Sequence, residues 1–111
     1  RKRLRGWDTA REWLERCAYF CKAAGIQFVV AAIPDRSQMS SRSTRFNYQH
    51  RLEAIASELG IYLIDPDDRF LAHRVKALWL PGDAHFSAIG HALFAEALAE
   101  HVEQWARRQI D

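Results

Sequence analysis

Apolar residues recur at Ala10, Trp13, Leu14, Cys17, Ala18, Cys21 and Ala24, close to a 3.6-residue period. The spacing predicts a helix over Trp7–Ala24 that turns Trp13, Leu14 and both thiols inward. Asp8 can cap its start and Gly25 can stop it. The pattern then changes. "IQFVVAAI", from Ile26 to Ile33, is continuous, apolar and rich in β-branched residues, which predicts a strand buried on both faces. Pro34 ends it. "DRSQMSSRSTRFN" is polar and Ser-rich, hence a loop. A second helical pattern runs from Thr44 to Leu59 with Leu52, Ile55, Ala56 and Leu59 inward, and Gly60 stops it. "IYLID", Ile61 to Asp65, reads as a second short buried strand. "PDDRFLAH" has the makings of a helical turn, and "KALWL", Lys76 to Leu80, of an edge strand. The last helix starts near Ser87 and faces inward with Ile89, Leu93, Ala97, Leu98, Val102 and Trp105.

The order helix–Gly–strand therefore occurs twice. Such alternation means parallel strands joined by crossover helices, an α/β architecture. With 111 residues and no internal linker, the chain is one domain or part of one, residues 1–111. It opens on Arg rather than Met and reads as a piece of something longer. No run of about 18 apolar residues is present, so no membrane span is expected. The net charge of +2 comes largely from Arg1, Lys2, Arg3, Arg5, Arg107 and Arg108 at the two ends. A basic stripe interleaved with aromatics or Gly is lacking, so no nucleic-acid partner is expected. Cys17 and Cys21 form a CxxxC with no second pair and read as small hydrophobes rather than zinc ligands.

In open α/β sheets, ligands bind beyond the carboxyl ends of the strands. The segments expected at that edge are "PDRSQ", "DPDD" and "PGDAH", which would gather Asp35, Asp65, Asp67, Asp68, Asp83 and His85 on one rim. Asp83 and His85 are the sharpest pair. In an extended segment, residues i and i+2 point to the same side. The carboxylate can then accept from imidazole Nδ1–H, fix the tautomer and leave Nε2 as a base. Ser87 is a natural N-cap. Gly90 sits in the first helical turn, where Gly costs about 1 kcal/mol, and so implies a close backbone approach. Ser37, Ser40, Ser41 and Ser43 lie in a loop without the tight turn that a nucleophile needs. A metal set of Asp83, His85 and His91 is a weaker alternative. His50 and His101 read as helix-surface residues, and His73 as a loop residue.

The assembled pattern is Asp83-x-His85-x-Ser87-x-x-Gly90-His91, followed by an Ala-rich helix. It resembles the C-terminal block of the SGNH/GDSL hydrolases, serine esterases and acyl-transfer enzymes, which runs roughly Asp-x-x-His-Pro-Asn-x-x-Gly-Tyr/His. "GIQFVVAAIPD" and "ELGIYLIDPDDRF" are similar to the strand-bearing segments before that block. The resemblance spans about Trp7 to Trp105 but only the later half of the family's domain. The acid–base spacing here is one residue shorter than the common form. The Gly-Asp-Ser block with the nucleophile, and the Gly and Asn of the oxyanion hole, do not occur in this sequence.

The resemblance implies part of a three-layer α/β/α, flavodoxin-like SGNH-hydrolase domain with its N-terminal half missing. His85 would be the general base, Asp83 its orienter, and the Ser nucleophile would lie outside residues 1–111. The substrate would be an ester-bearing small molecule or an O-acylated saccharide in a bacterial cell envelope, with no cofactor or metal. Two other classes fit the residues. Asp35, Asp65, Asp67 and Asp68 could hold Mg²⁺ in a phosphohydrolase or receiver-like domain. A non-catalytic α/β domain could bind a partner through the same rim.

Overall fold

A computed structural model describes residues 2–37 and 47–110. Helix α1 spans Lys2–Ala23 and leads into strand β1, Val29–Ala31. Helix α2, Asn47–Leu59, crosses over to strand β2, Tyr62–Ile64. Two short helices follow, α3 over Asp67–Leu71 and α4 over Val75–Leu78. The long helix α5, Ala88–Ile110, closes the chain. The result is a mostly helical mixed α/β chain around a two-stranded parallel sheet.

Both strands are delivered by the same device. Gly25 and Gly60 adopt φ of +72° and +67°, the left-handed region that glycine enters without a Cβ penalty. After α1, Ile26 N–H donates to Cys21 C=O at 2.7 Å and Gly25 N–H to Lys22 C=O at 3.2 Å. After α2, Ile61 N–H donates to Ala56 C=O at 2.8 Å. The two six-to-one bonds, from Ile26 and Ile61, mark Schellman terminations, and the Gly25 bond is the inner five-to-two partner of the first; they satisfy the last carbonyls and reverse the chain. The strands then pair in parallel, with Val29 opposite Tyr62, Val30 opposite Leu63 and Ala31 opposite Ile64. Ala32 N–H extends the ladder to Ile64 C=O at 2.8 Å. The carboxyl ends of β1 and β2 therefore share one edge, as the alternation implied.

Several expectations are corrected. The eight-residue apolar run yields a three-residue strand, and Ile26 and Ile33 at its ends are 55% and 58% exposed. Burial on both faces needs packed layers above and below the sheet, and at Ile26 and Ile33 the described residues do not supply them. Helix α1 begins earlier than its apolar spacing suggested. Trp13 is 59% exposed and Cys17 is also exposed, while Leu14, Ala18 and Cys21 are half-buried. The cause is packing. α1 meets α2 through the rings of Trp7 and Tyr48, 6.2 Å apart, and an Arg11–Glu58 ion pair, which leaves the Trp13–Cys17–Phe20 stripe uncovered. "KALWL" is a helical turn and one bridge residue, not an edge strand. Leu78 and Trp79 are buried in succession, which alternation does not allow. On α5, Ala97 is fully buried and Leu93, Leu98 and Trp105 half-buried, but Ile89 and Val102 are exposed.

Apolar burial collects in two places. Ala32, Leu52, Ile55, Ala56, Ile61 and Ile64 pack α2 against the sheet. Phe70, Leu78 and Trp79 form a second nucleus, with Phe86, Leu93 and Phe94 against it. Its rings lie 5.3 Å (Phe70–Phe86), 5.6 Å (Trp79–Phe86) and 5.8 Å (Phe70–Trp79) apart, the tilted geometry aromatic quadrupoles favour. The radius of gyration is 15.5 Å, above the roughly 13 Å expected of a compact domain of this length. The chain is thus open for its size.

Candidate functional site: an Asp–His pair on a zipped hairpin

The segment from Leu78 to Ser87 doubles back on itself. Ser87 N–H donates to Leu78 C=O at 2.9 Å, Trp79 bridges Phe86 in antiparallel fashion, and Leu80 N–H donates to His85 C=O at 3.0 Å. Its tip is dictated by the sequence Leu80-Pro81-Gly82-Asp83. Pro presets the second position of a type II turn, and the third requires φ > 0. Gly82 has φ +65°, and Asp83 N–H closes the turn on Leu80 C=O at 3.1 Å.

The base of the hairpin is fixed to α5. Ser87 Oγ accepts from Gly90 N–H at 3.1 Å, the N-cap bond expected of it, and donates to Ala77 C=O at 2.6 Å. Gly90 is buried. A Cβ added there would lie 2.1 Å from the Leu78 carbonyl oxygen. The close approach that this glycine implied is thus the entry of α5 under the hairpin arm.

Asp83 and His85 meet at the tip. His85 Nδ1 lies 2.6 Å from Asp83 Oδ1, and the His85 backbone N–H donates to the same oxygen at 2.9 Å. An ionised carboxylate only accepts, so Nδ1 carries a proton, and in the neutral tautomer of the ring the lone pair is on Nε2. The His85 side chain is 83% exposed, and among the described residues no hydrogen bond reaches Nε2. The Asp83 carboxyl is held below its ordinary value of 3.8. The main cause is the His85 amide, followed by the hydrogen bond from the ring; slight desolvation opposes them. The pair has the arrangement of a base and its orienter, with the free nitrogen turned to solvent.

The other candidates fall out differently. Asp35 follows β1 and accepts from Ser37 Oγ at 2.9 Å and Ser37 N–H at 3.4 Å. Ser37 thus closes a turn on Asp35 just beyond β1. Ser40, Ser41 and Ser43 lie outside the described residues. Asp65, Asp67 and Asp68 follow β2 at the same edge as Asp35. His91 packs edge-on against Phe86, with centroids 5.5 Å apart, and His73 Nδ1 lies 3.0 Å from Arg69 C=O. His50 is exposed as expected, whereas His101 is half-buried. Among the described residues no three His, Cys, Asp or Glu side chains gather as a metal cluster, so the Asp83–His85–His91 set does not form. No described helix is long and apolar enough to cross a membrane.

Arg36 was missed in the sequence. Its Nη1 donates to the carbonyls of Leu80 and Asp83, at 3.3 Å each, and so joins the end of β1 to the hairpin tip. An arginine in a polar loop carries no periodic signal, and its acceptors are backbone groups 44 and 47 residues away. An open cleft of about 800 Å³, lined by Tyr19, Lys22, Ile26, Phe28, Gly60 and Trp105 among others, lies at the opposite, amino edge of the strands.

No family model, characterised protein or solved structure matches this chain.

Proposed function

We propose that this chain supplies the base-and-orienter half of a serine ester hydrolase or acyl-transfer enzyme of the SGNH/GDSL type. The observation that supports it is the 2.6 Å contact between His85 Nδ1 and Asp83 Oδ1, with Nε2 open to solvent. Nε2 of His85 takes the proton of a serine hydroxyl as that oxygen attacks an acyl carbon, then returns it to the leaving alcohol. Asp83 holds the tautomer and stabilises the imidazolium. The serine and the oxyanion donors lie outside residues 1–111 in this reading. The domain is then part of a three-layer α/β/α assembly with further strands beside β1 and β2. Exposed Ile26, Ile33, Trp13 and Phe20 are consistent with surface that more of the domain would cover. The substrate is an acyl ester, in the first instance an O-acylated saccharide of a bacterial envelope.

The test is ester hydrolysis by the intact protein. His85→Ala should lower kcat by about 10²–10⁴-fold, the usual share of general-base help, without changing the thermal midpoint. Near-wild-type turnover in that variant sinks the assignment. Residues 1–111 alone should not turn over p-nitrophenyl acetate above the rate of free imidazole. Adding the missing half in trans should restore activity.

A further inference from the structure

The hydrogen bonds of the hairpin divide into two groups. Those of its arms and base run to α4 and α5: Ser87 N–H to Leu78, Ser87 Oγ to Ala77, and His91 N–H to Ser87. They fix the hairpin to the aromatic nucleus but not to the sheet. Among the described residues, the hydrogen bonds that tie its tip to the sheet edge come from one atom, Nη1 of Arg36. That residue stands five positions after the end of β1, just beyond the buried Pro34. Its two acceptors, Leu80 C=O and Asp83 C=O, are the first and last residues of the type II turn.

We propose that Arg36 is a positioning residue, clamping both ends of the Leu80–Asp83 turn so that the Asp83–His85 pair faces the carboxyl edge of the sheet. The inference rests on the esterase reading of that pair. A base on a hairpin tip is useful only if its free nitrogen points where the reacting hydroxyl will be, and small misplacements cost rate heavily. The internal bonds of the hairpin fix Asp83 relative to His85. They leave the whole tip free to tilt about its arms. A guanidinium suits the clamp because it is always charged and its donors spread in a fixed plane. Its bonds to neutral carbonyls are charge-assisted. It acts on the turn and not on the acid: the groups that lower the Asp83 carboxyl are His85 and the Ala84 amide, with no contribution from Arg36.

The test compares Arg36→Met, which keeps the stem and removes the donors, with Arg36→Lys, which keeps a shorter cationic donor. Both are made in the intact protein. Amide hydrogen exchange at Asp83 and His85 should rise about tenfold in Arg36→Met, the size of one charge-assisted hydrogen bond. The amide of His91 on α5 should not change, and Arg36→Lys should recover part of the protection. With p-nitrophenyl acetate, kcat should fall about tenfold with KM unchanged, Arg36→Lys should again recover part, and Arg36→Met should add nothing in a His85→Ala background. Unchanged exchange at the tip overturns the proposal. So does a rise that extends equally through α5, which would make Arg36 a general stability residue. Faster exchange at the tip with kcat intact overturns it as well. The esterase reading fails separately, through hydrolysis that survives His85→Ala. The exchange measurement then still decides whether Arg36 holds the tip.

Discussion

Asp83 receives two hydrogen bonds from one residue, the amide and the ring of His85, and both act on the same oxygen. Its carboxyl is depressed, and that fixes the sign of its pH dependence. A group whose folded value lies below its unfolded value stabilises above the unfolded value and loses that contribution as pH falls through the folded one. The tip should therefore be intact at about pH 5 and open only below the ordinary value of 3.8. The His85 amide shift, followed by NMR through an acid titration, should move with a midpoint under 3.8; a midpoint above it contradicts the assignment. Asp83→Asn keeps an acceptor but loses the charge, so it should preserve the turn and remove the titration. The pair itself was legible because i and i+2 share a side in extended chain, a rule that needs no tertiary information. Arg36 was not legible, since nothing local marks an arginine whose partners are distant carbonyls. Nor was the exposure of Cys17. A thiol on an apolar stripe is buried only if another element arrives to cover it.

At the scale of elements, the start of α5 bears the tightest contact. Gly90→Ala would gain about 1 kcal/mol of helix propensity, yet its Cβ would meet the Leu78 carbonyl, a backbone atom with nowhere to go. Overpacking of that kind costs about 1–3 kcal/mol or more, so the variant should melt at a lower temperature, and the hairpin should be displaced even where the helix persists. Ser87→Ala loses the N-cap and leaves Ala77 C=O without its 2.6 Å donor, for a cost of about 1–2 kcal/mol in thermal unfolding. Phe70→Ala, at the centre of the aromatic nucleus, should cost about 3–5 kcal/mol. These elements differ in how far the sequence disclosed them. Both Schellman ends were readable, because Gly25 and Gly60 each follow an apolar-periodic run and precede a β-branched one. Gly90 announced its close approach by being a poor choice for a helix. "KALWL" misled because a short apolar run has no period of its own. Whether it coils or extends is settled by Phe70 and Phe86, which it must meet.

On the scale of the whole molecule, the parallel pairing of β1 and β2 followed from the repeated plan, whereas the extent of the strands did not. Strand length is set by neighbours: among the described residues β2 is the one strand paired with β1, and Ile26 and Ile33 beyond its ends are exposed. Residues 1–111 expressed alone should therefore associate as concentration rises, because among the described residues the outer edges of the two-stranded sheet are unpaired and a Trp13–Phe20 face is exposed. Sedimentation over a tenfold dilution series should show it, and a strictly monomeric species throughout would mean that the exposed face is tolerated. The buried nucleus has a different consequence. Trp79 is almost fully enclosed in one arm of the hairpin, and its indole Nε1–H finds no acceptor among the described residues. Such an indole fluoresces at short wavelength, while Trp13, in contact with water, emits further to the red. With Trp7, Trp13 and Trp105 replaced by Phe, the remaining emission comes from Trp79 alone, six residues from His85 at the hairpin tip. Its colour becomes an unlabelled optical gauge of hairpin closure, readable during a stopped-flow experiment as ligand, acid or denaturant is added.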